Sequence, residues 1–467
     1  MDARSVFAGL LAFTMLAAQA GPASQPSGAQ LTQPGTGFGR FERYPTGNPA
    51  SPAASEPGIS FGLLSSFGGG LEVGAAEDFD SRIDDIIDAF EELEQELAFL
   101  TPGMMTAVEI NDLIDRINGF ETQANTLVAD LAEDGYFKFN AGLIGPGAPL
   151  SFGALGVGGV VTLSYDGFAE FRAGLVATDD AFSFGLQDVI YQPGQSFDVV
   201  DDNDRLVVVI DGEEFEFRAS ENAGVAIQGA VVGRVSGGYS RPVWSNNLGQ
   251  LYAGGQLHMY RVTTARVGRL LDDDESAIDE ADDVLDENQR KSNGFGIDAG
   301  LLWVADAYQL GLTLRNLNEP SFSYPDACNG GDEQTCAFYT ANPGAARNGS
   351  SWTMERQATV SGALHNERQT WLLTAALDLN SVVDSTGDDY QWLAAGLAYQ
   401  PLRGWVPSPR VGLRRNLAGE ELSYVSVGVS LFRILHIDYS QALDSTRFDG
   451  DSIPRAMQLN AGLYFEF

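Results

Sequence analysis

Met457-Gln458-Leu459-Asn460-Ala461-Gly462-Leu463-Tyr464-Phe465-Glu466-Phe467 closes the chain. Met457, Leu459, Ala461, Leu463, Phe465 and Phe467 occupy every second position, and Gln458, Asn460 and Glu466 lie between them. Successive side chains of a strand point to opposite faces, so this alternation predicts a strand with one apolar and one polar face. A tilted strand of about 10 residues is long enough to cross a bilayer. Upstream the alternation recurs. Val225, Ile227, Val231 and Val235 share one face, and Leu251, Ala253, Leu257 and Met259 share the next, opposed by Gln250, Gln256 and His258. Leu310, Leu312 and Leu314 repeat it, as do Val425, Val427, Val429 and Leu431.

The connections alternate in length. Counting back from Phe467, long ones fall at 444–454, 416–421, 381–389, 318–351 and 270–293. Short ones fall near Arg433 and at 401–407, 366–368, 306–308 and 241–247. Outer-membrane barrels have long external loops and short periplasmic turns. The expected fold is therefore all-β, a transmembrane antiparallel β-barrel of about 14 strands. Between Tyr136 and Ser220 there are more short strand patterns than a simple meander needs.

Both ends fit export. Arg4, the apolar run from Val6 to Ala18, and Ala18-Gln19-Ala20 form the charged, apolar and small-x-small parts of a signal peptide over 1–20. Phe465 and Phe467 match the aromatic C-terminal signal by which barrels are recognised for insertion. The expected location is the bacterial outer membrane with a periplasmic C-terminus. Its partners would be outer-membrane lipid, the barrel-assembly machinery and a hydrophobic small molecule.

The formal net charge is −37, which disfavours nucleic acid, since phosphate neutralisation needs clustered Lys and Arg. Much of the acid lies in blocks 77–96 and 272–287, which read as solvated, self-repelling surface. Neither has the spacing of a calcium loop. Cys328 and Cys336 are the only cysteines. In an exported chain their proximity predicts a disulfide stapling one loop.

Residues 21–57, rich in Gly, Pro, Ser, Gln and Ala, read as an irregular segment ahead of a barrel spanning 58–467. A helical insertion is expected at 77–133. Phe79, Ile83, Ile86, Phe90, Leu93 and Leu97 recur at helical spacing, Thr101-Pro102-Gly103 breaks the chain, and Leu113, Ile117, Phe120, Leu127 and Leu131 follow. This predicts an acidic helical hairpin with a shared apolar seam.

No enzymatic chemistry, metal or cofactor is expected. Gly58-Ile59-Ser60-Phe61-Gly62 matches G-x-S-x-G but lies at the start of a Gly-rich strand, not in a strand–turn–helix elbow. His258, His365 and His436 have no metal spacing. Arg234, Asp298, Arg315, Asp378, Arg414, His436 and Asp438 fall on predicted inward faces. Their mixed signs predict a wet, networked or plugged lumen, because buried charges must be paired or hydrated.

Gly47-Asn48-Pro49-Ala50, the acidic helical pattern from Asp80 to Leu97, and the stretch from Gly311 to Pro325 together resemble the TraF-type conjugal-transfer outer-membrane family. That family is similar in turn to the outer-membrane transporters of long-chain fatty acids and other hydrophobic compounds. The resemblance implies a fourteen-stranded barrel, with Asn48, Pro49 and Ala50 in a luminal plug. The expected function is a passive channel for small hydrophobic solutes; the alternative is a non-transporting surface or conjugation-associated envelope protein. The helical hairpin and the strong acidity depart from the fatty-acid transporters.

Overall fold

The computed structural model describes residues 28–35, 47–54, 59–75, 106–144, 150–153, 158–177, 181–187, 189–202, 205–216, 218–219, 223–270, 287–329, 331–448 and 451–466. The expected signal peptide, the first helical arm, the acidic block 77–96, nearly all of 272–287, and Phe467 lie outside the described residues.

Fifteen strands, two of which share one position, make a closed antiparallel ring of fourteen. In chain order they are β1 (Ile59–Val73), β2 (Tyr136–Ile144, continued by Leu150–Gly153), β3 (Val160–Val176), β4 (Gly224–Asn246), β5 (Gly249–Leu270), β6 (Gln289–Val304) and β7 (Tyr308–Arg315). There follow β8 (Gln357–His365), β9 (Trp371–Asp378), β10 (Trp392–Tyr399), β11 (Ser408–Asn416), β12 (Ser423–Leu431), β13 (Leu435–Ala442) and β14 (Ala456–Glu466). Each pairs with its neighbours in sequence, and β14 pairs with β1 from Ser60↔Glu466 to Glu72↔Ala456. Both pieces of β2 pair with β1 and with β3. The expected strand number is met, and no barrel strand is left with an open edge.

Period-two alternation sets the two faces. On β5, Leu257 and Met259 are 62% and 73% exposed, while His258 and Tyr260 are buried. On β11, Val411 and Leu413 are exposed, while Arg410 and Arg414 are buried. The outer surface is thus apolar and the bore polar, the inverse of a soluble protein. Trp244–Trp303 and Trp371–Tyr399 stack at ring separations of 5.6 and 5.0 Å near the short-turn end, as in an interfacial aromatic girdle.

The short connection expected at 241–247 is displaced. β4 runs on to Asn246, and the turn is Asn247-Leu248. Pro242 does not break the strand, because it sits where the register to β5 shifts, between Pro242 and Trp244.

The surplus strand patterns before Ser220 belong outside the ring. Phe197–Asp202, Arg205–Ile210 and Glu213–Glu216 form a separate three-stranded meander in the β3–β4 connection. It packs on α1 (Ala107–Asp134), which Thr106 and Glu109 open with a reciprocal capping box. Ile110, Leu113, Ile114, Ile117 and Phe120 of α1 bury against Phe184, Leu186, Phe197, Val208 and Ile210. The helix's apolar seam therefore faces this neighbouring loop.

Polar contacts fix the register of that packing. Asn111, Asn118 and Asn125 recur every seven residues, about 10.5 Å along the helix. Asn125 donates to Phe182 O at 2.8 Å and accepts from Phe182 N at 2.7 Å. Asn111 does the same with Tyr191, at 3.1 and 2.9 Å, and Asn118 donates to Leu186 O at 3.3 Å. The asparagine amides thus stand in for an adjacent strand. Asn125→Ala would remove both hydrogen bonds to the Phe182 backbone, at a cost of about 1 kcal/mol each. Amide exchange around Phe182 should accelerate in the full-length protein while β10–β13 stay protected; unchanged exchange would contradict the register role.

Candidate functional site in the bore

Among the described residues, three inward-folded segments lie in the bore. The first is the N-terminal segment, at the short-turn end. Asn48 donates from Nδ2 to Leu301 O at 2.8 Å and Leu312 O at 3.0 Å, and its Oδ1 accepts from Ala50 N at 2.9 Å. Asn48, Pro49 and Ala50 are all buried. Their backbone fits because the wall there has no side chains: a Cβ on Gly254 would lie 2.1 Å from Pro49 O, and one on Gly300 would meet Asn48. Further round, a Cβ on Gly396 would lie 1.9 Å from Thr32 O. Thr32 Oγ1 donates to Asp438 Oδ1 at 2.8 Å.

The second is a two-stranded ribbon, Ser321–Ser323 with Ser351–Thr353, in the β7–β8 connection. It places Phe322, Tyr324, Trp352 and Met354 against inward Phe168, Val232, Tyr260 and Val262. The same connection carries α2 (Glu333–Ala341) and the expected Cys328–Cys336 disulfide, with Cα atoms 4.5 Å apart.

The third is the β9–β10 connection. Val382–Val383 pairs with Asp389–Tyr390, making a small hairpin, the strap, whose tip is 384–388. The tip crosses to β2 and β3 on the far wall. There Lys138 Nζ binds Asp384, lies 3.0 Å from Asp388 Oδ2, donates to Tyr390 Oη at 2.7 Å and lies 3.5 Å from Glu170. Arg172 and Arg347 each reach Asp388 Oδ1 at 2.7 and 2.8 Å. Three cations thus meet three carboxylates, a balance that buried charges require.

All seven expected lumen residues face inward, but they form separate clusters. Arg234 pairs with Asp166 at 2.8 Å. Asp378 accepts from Thr359 at 2.7 Å, Gln357 at 3.1 Å and Trp392 N at 3.0 Å, with Arg315 3.4 Å from Gln357. Arg414 donates to Gln458 at 3.0 Å and stacks on Tyr424 and Trp392. Asp438 takes a bidentate fork from Arg410, and His436 Nδ1 lies 2.8 Å from Ser430 Oγ.

Asp298 lies 3.0 Å from His258 Nε2, and Ser236 Oγ lies 2.7 Å from His258 Nδ1. This serine–imidazole–carboxylate chain has no acyl-transfer geometry. His258 Nε2 and the carboxylate form a buried pair in the bore wall. All three residues also sit inside paired strands, whose backbone N–H groups serve the ladder and cannot converge on an oxyanion. Ser60 likewise lies in β1, opposite Glu466, with no elbow.

The family model described as F plasmid transfer operon, TraF, protein matches residues 45–378. The chain belongs to this TraF family. No curated protein matches it. Among solved structures it is similar to the TodX monoaromatic hydrocarbon channel carrying the deltaS2S3 mutation, with TM-score 0.40, 10% identity, and 94% of this chain and 98% of that chain covered. It is also similar to the toluene transporter TodX of Pseudomonas putida, with TM-score 0.38, 13% identity, and 96% and 99% covered.

The sequence reading missed Lys138, Glu170, Arg410 and the strap carboxylates of this TraF-family protein. One signal was present: Lys138 and Lys291 are its only lysines, and Lys138 stands on the inward side of a strand between Phe137 and Phe139. Burial pushes the Asp388 carboxyl up, but Lys138, Arg172 and Arg347 together outweigh it and hold it well below the usual carboxylate range. A carboxylate held low stabilises the folded state above the ordinary pKa of about 3.9, and that contribution is lost as pH falls through the lowered value. Fluorescence of Trp352, whose Nε1 donates to Val383 O at 3.1 Å, should report the strap's release only below that ordinary pKa. Arg347→Ala should raise the midpoint; a midpoint unmoved by the variant would contradict the assignment.

The glycine seats predict a steric effect. Gly254→Val or Gly396→Val should expel the N-terminal segment and speed protease cleavage within 28–54 about tenfold, equivalent to about 1.4 kcal/mol. The barrel itself should keep its heat-modifiable gel migration. Cleavage at the wild-type rate would show that the segment does not depend on these seats.

Proposed function

We propose that the protein resides in the bacterial outer membrane, C-terminus in the periplasm, and passes small hydrophobic solutes passively through its bore once the inward-folded segments shift. The observation that carries this reading is the aromatic sector formed by Phe168, Tyr260, Phe322, Tyr324 and Trp352 inside the barrel. Apolar rings facing a bore give a hydrophobic solute a surface to follow. The N-terminal segment and the strap stand at opposite ends of that route. Asn48, Pro49 and Ala50 act in this reading as a plug held by hydrogen bonds and shape, with no apolar anchor larger than proline.

A second reading, contact with a partner in the cell envelope, draws on the α1–meander cap. That cap has its own hydrophobic core outside the barrel, and the family description places relatives in a plasmid transfer operon.

Two measurements test the first reading. The detergent-extracted protein should change its gel migration on heating; recovery of an unshifted soluble protein would refute membrane residence. In proteoliposomes, deleting 21–57 should raise uptake of a small aromatic hydrocarbon. Uptake equal to that of empty liposomes, with and without the deletion, would remove the channel reading and leave the partner reading.

A further inference from the structure

We infer that the strap is a charge-latched gate over the long-loop end of the bore, with the Lys138 ammonium as its bolt; this rests on the passage reading above. The strap's fold is self-sufficient. Asp384 Oδ1 accepts from Thr386 N, Thr386 Oγ1 and Asp388 N at 2.8, 2.8 and 3.0 Å. Asp384 N also donates to Asp388 O at 2.9 Å, and Gly387 closes the turn at φ +87°. The tip therefore holds its shape without the wall and can move as one body.

Its hold on the far wall is polar among the described residues. The remaining oxygens, Asp384 Oδ2 and Asp388 Oδ2, meet Lys138. Ser385 Oγ donates to Glu170 at 2.9 Å, and Ser385 O accepts from Gln228 at 3.4 Å and from Tyr324 Oη. Tyr390 instead packs with Trp392, Leu422 and Tyr424 at the strap's own root. Apolar packing at the root and polar contacts at the tip are the anatomy of a hinged flap.

The wall is also prepared for the flap's departure. Glu170, fully buried and 3.5 Å from Lys138, stays on the wall when Asp384 and Asp388 leave. Lys138 therefore has a partner in both positions, so opening does not strand a bare ammonium. This removes the largest cost of breaking a buried ion pair, and it gives the strap two discrete states.

Ser385→Cys supplies a reporter, because the native cysteines are already joined. In proteoliposomes, a membrane-impermeant maleimide should label it slowly. Lys138→Met added to the reporter should speed labelling about tenfold or more, since Asp384 then lacks its cation, while Arg172 and Arg347 still hold Asp388. Arg347→Ala, which removes a partly exposed arm and is less able to disturb folding, should give a smaller increase. Heat-modifiable migration checks that each variant is folded. Equal labelling rates in all three proteins would overturn the latch. Faster labelling with no gain in aromatic hydrocarbon uptake would uphold the latch and count against the passage reading instead.

Discussion

Ladder hydrogen bonding around a closed ring is the constraint from which the rest follows. Closing β14 on β1 removes every edge, but a ring of fourteen strands encloses more space than its own inward side chains fill. Something must occupy that space or water will. Among the described residues this protein uses its own chain three times, from the N-terminal segment, the β7–β8 ribbon and the β9–β10 strap. Each solves a different local problem. The first is seated by glycines, the second by aromatic packing and the third by charge.

Those three modes differ in how easily they reverse. The ribbon buries Phe322 and Trp352 among inward aromatics, and removing it would expose them to water. The strap exchanges ion pairs, and Asn48 of the N-terminal segment exchanges hydrogen bonds to strand carbonyls. Water can replace contacts of both kinds. The long-loop connections thus divide into a fixed filler and a movable one.

Legibility followed periodicity. Met457 to Phe467 and the regular strands after Asn222 alternate strictly, so faces, loop lengths and strand number could be read, and Asp298, Arg414 and Asp438 could be placed inward. Pairing partners could not be read, because a strand's period says which face a residue takes and nothing about which wall a distant loop will touch. Lys138 and Asp388 are 250 positions apart, and only the inward fold of a loop joins them. The region before Ser220 was illegible for another reason: its short strands belong to three sheets, and alternation looks the same in each. Asn111, Asn118 and Asn125 were visible as a heptad but carried no indication of their target. Asn48 was singled out by resemblance alone; its glycine seats at Gly254 and Gly300 lie 206 and 252 positions away.

The asparagine-laddered cap also has a mechanical consequence. α1 leads directly into β2, and the meander it grips belongs to the β3–β4 connection. The cap therefore ties the entry of the two-piece second strand position to the exit of its neighbour. Force applied to the cap would load β2 and β3 in parallel, at the position where the ring's own ladder is built from two segments.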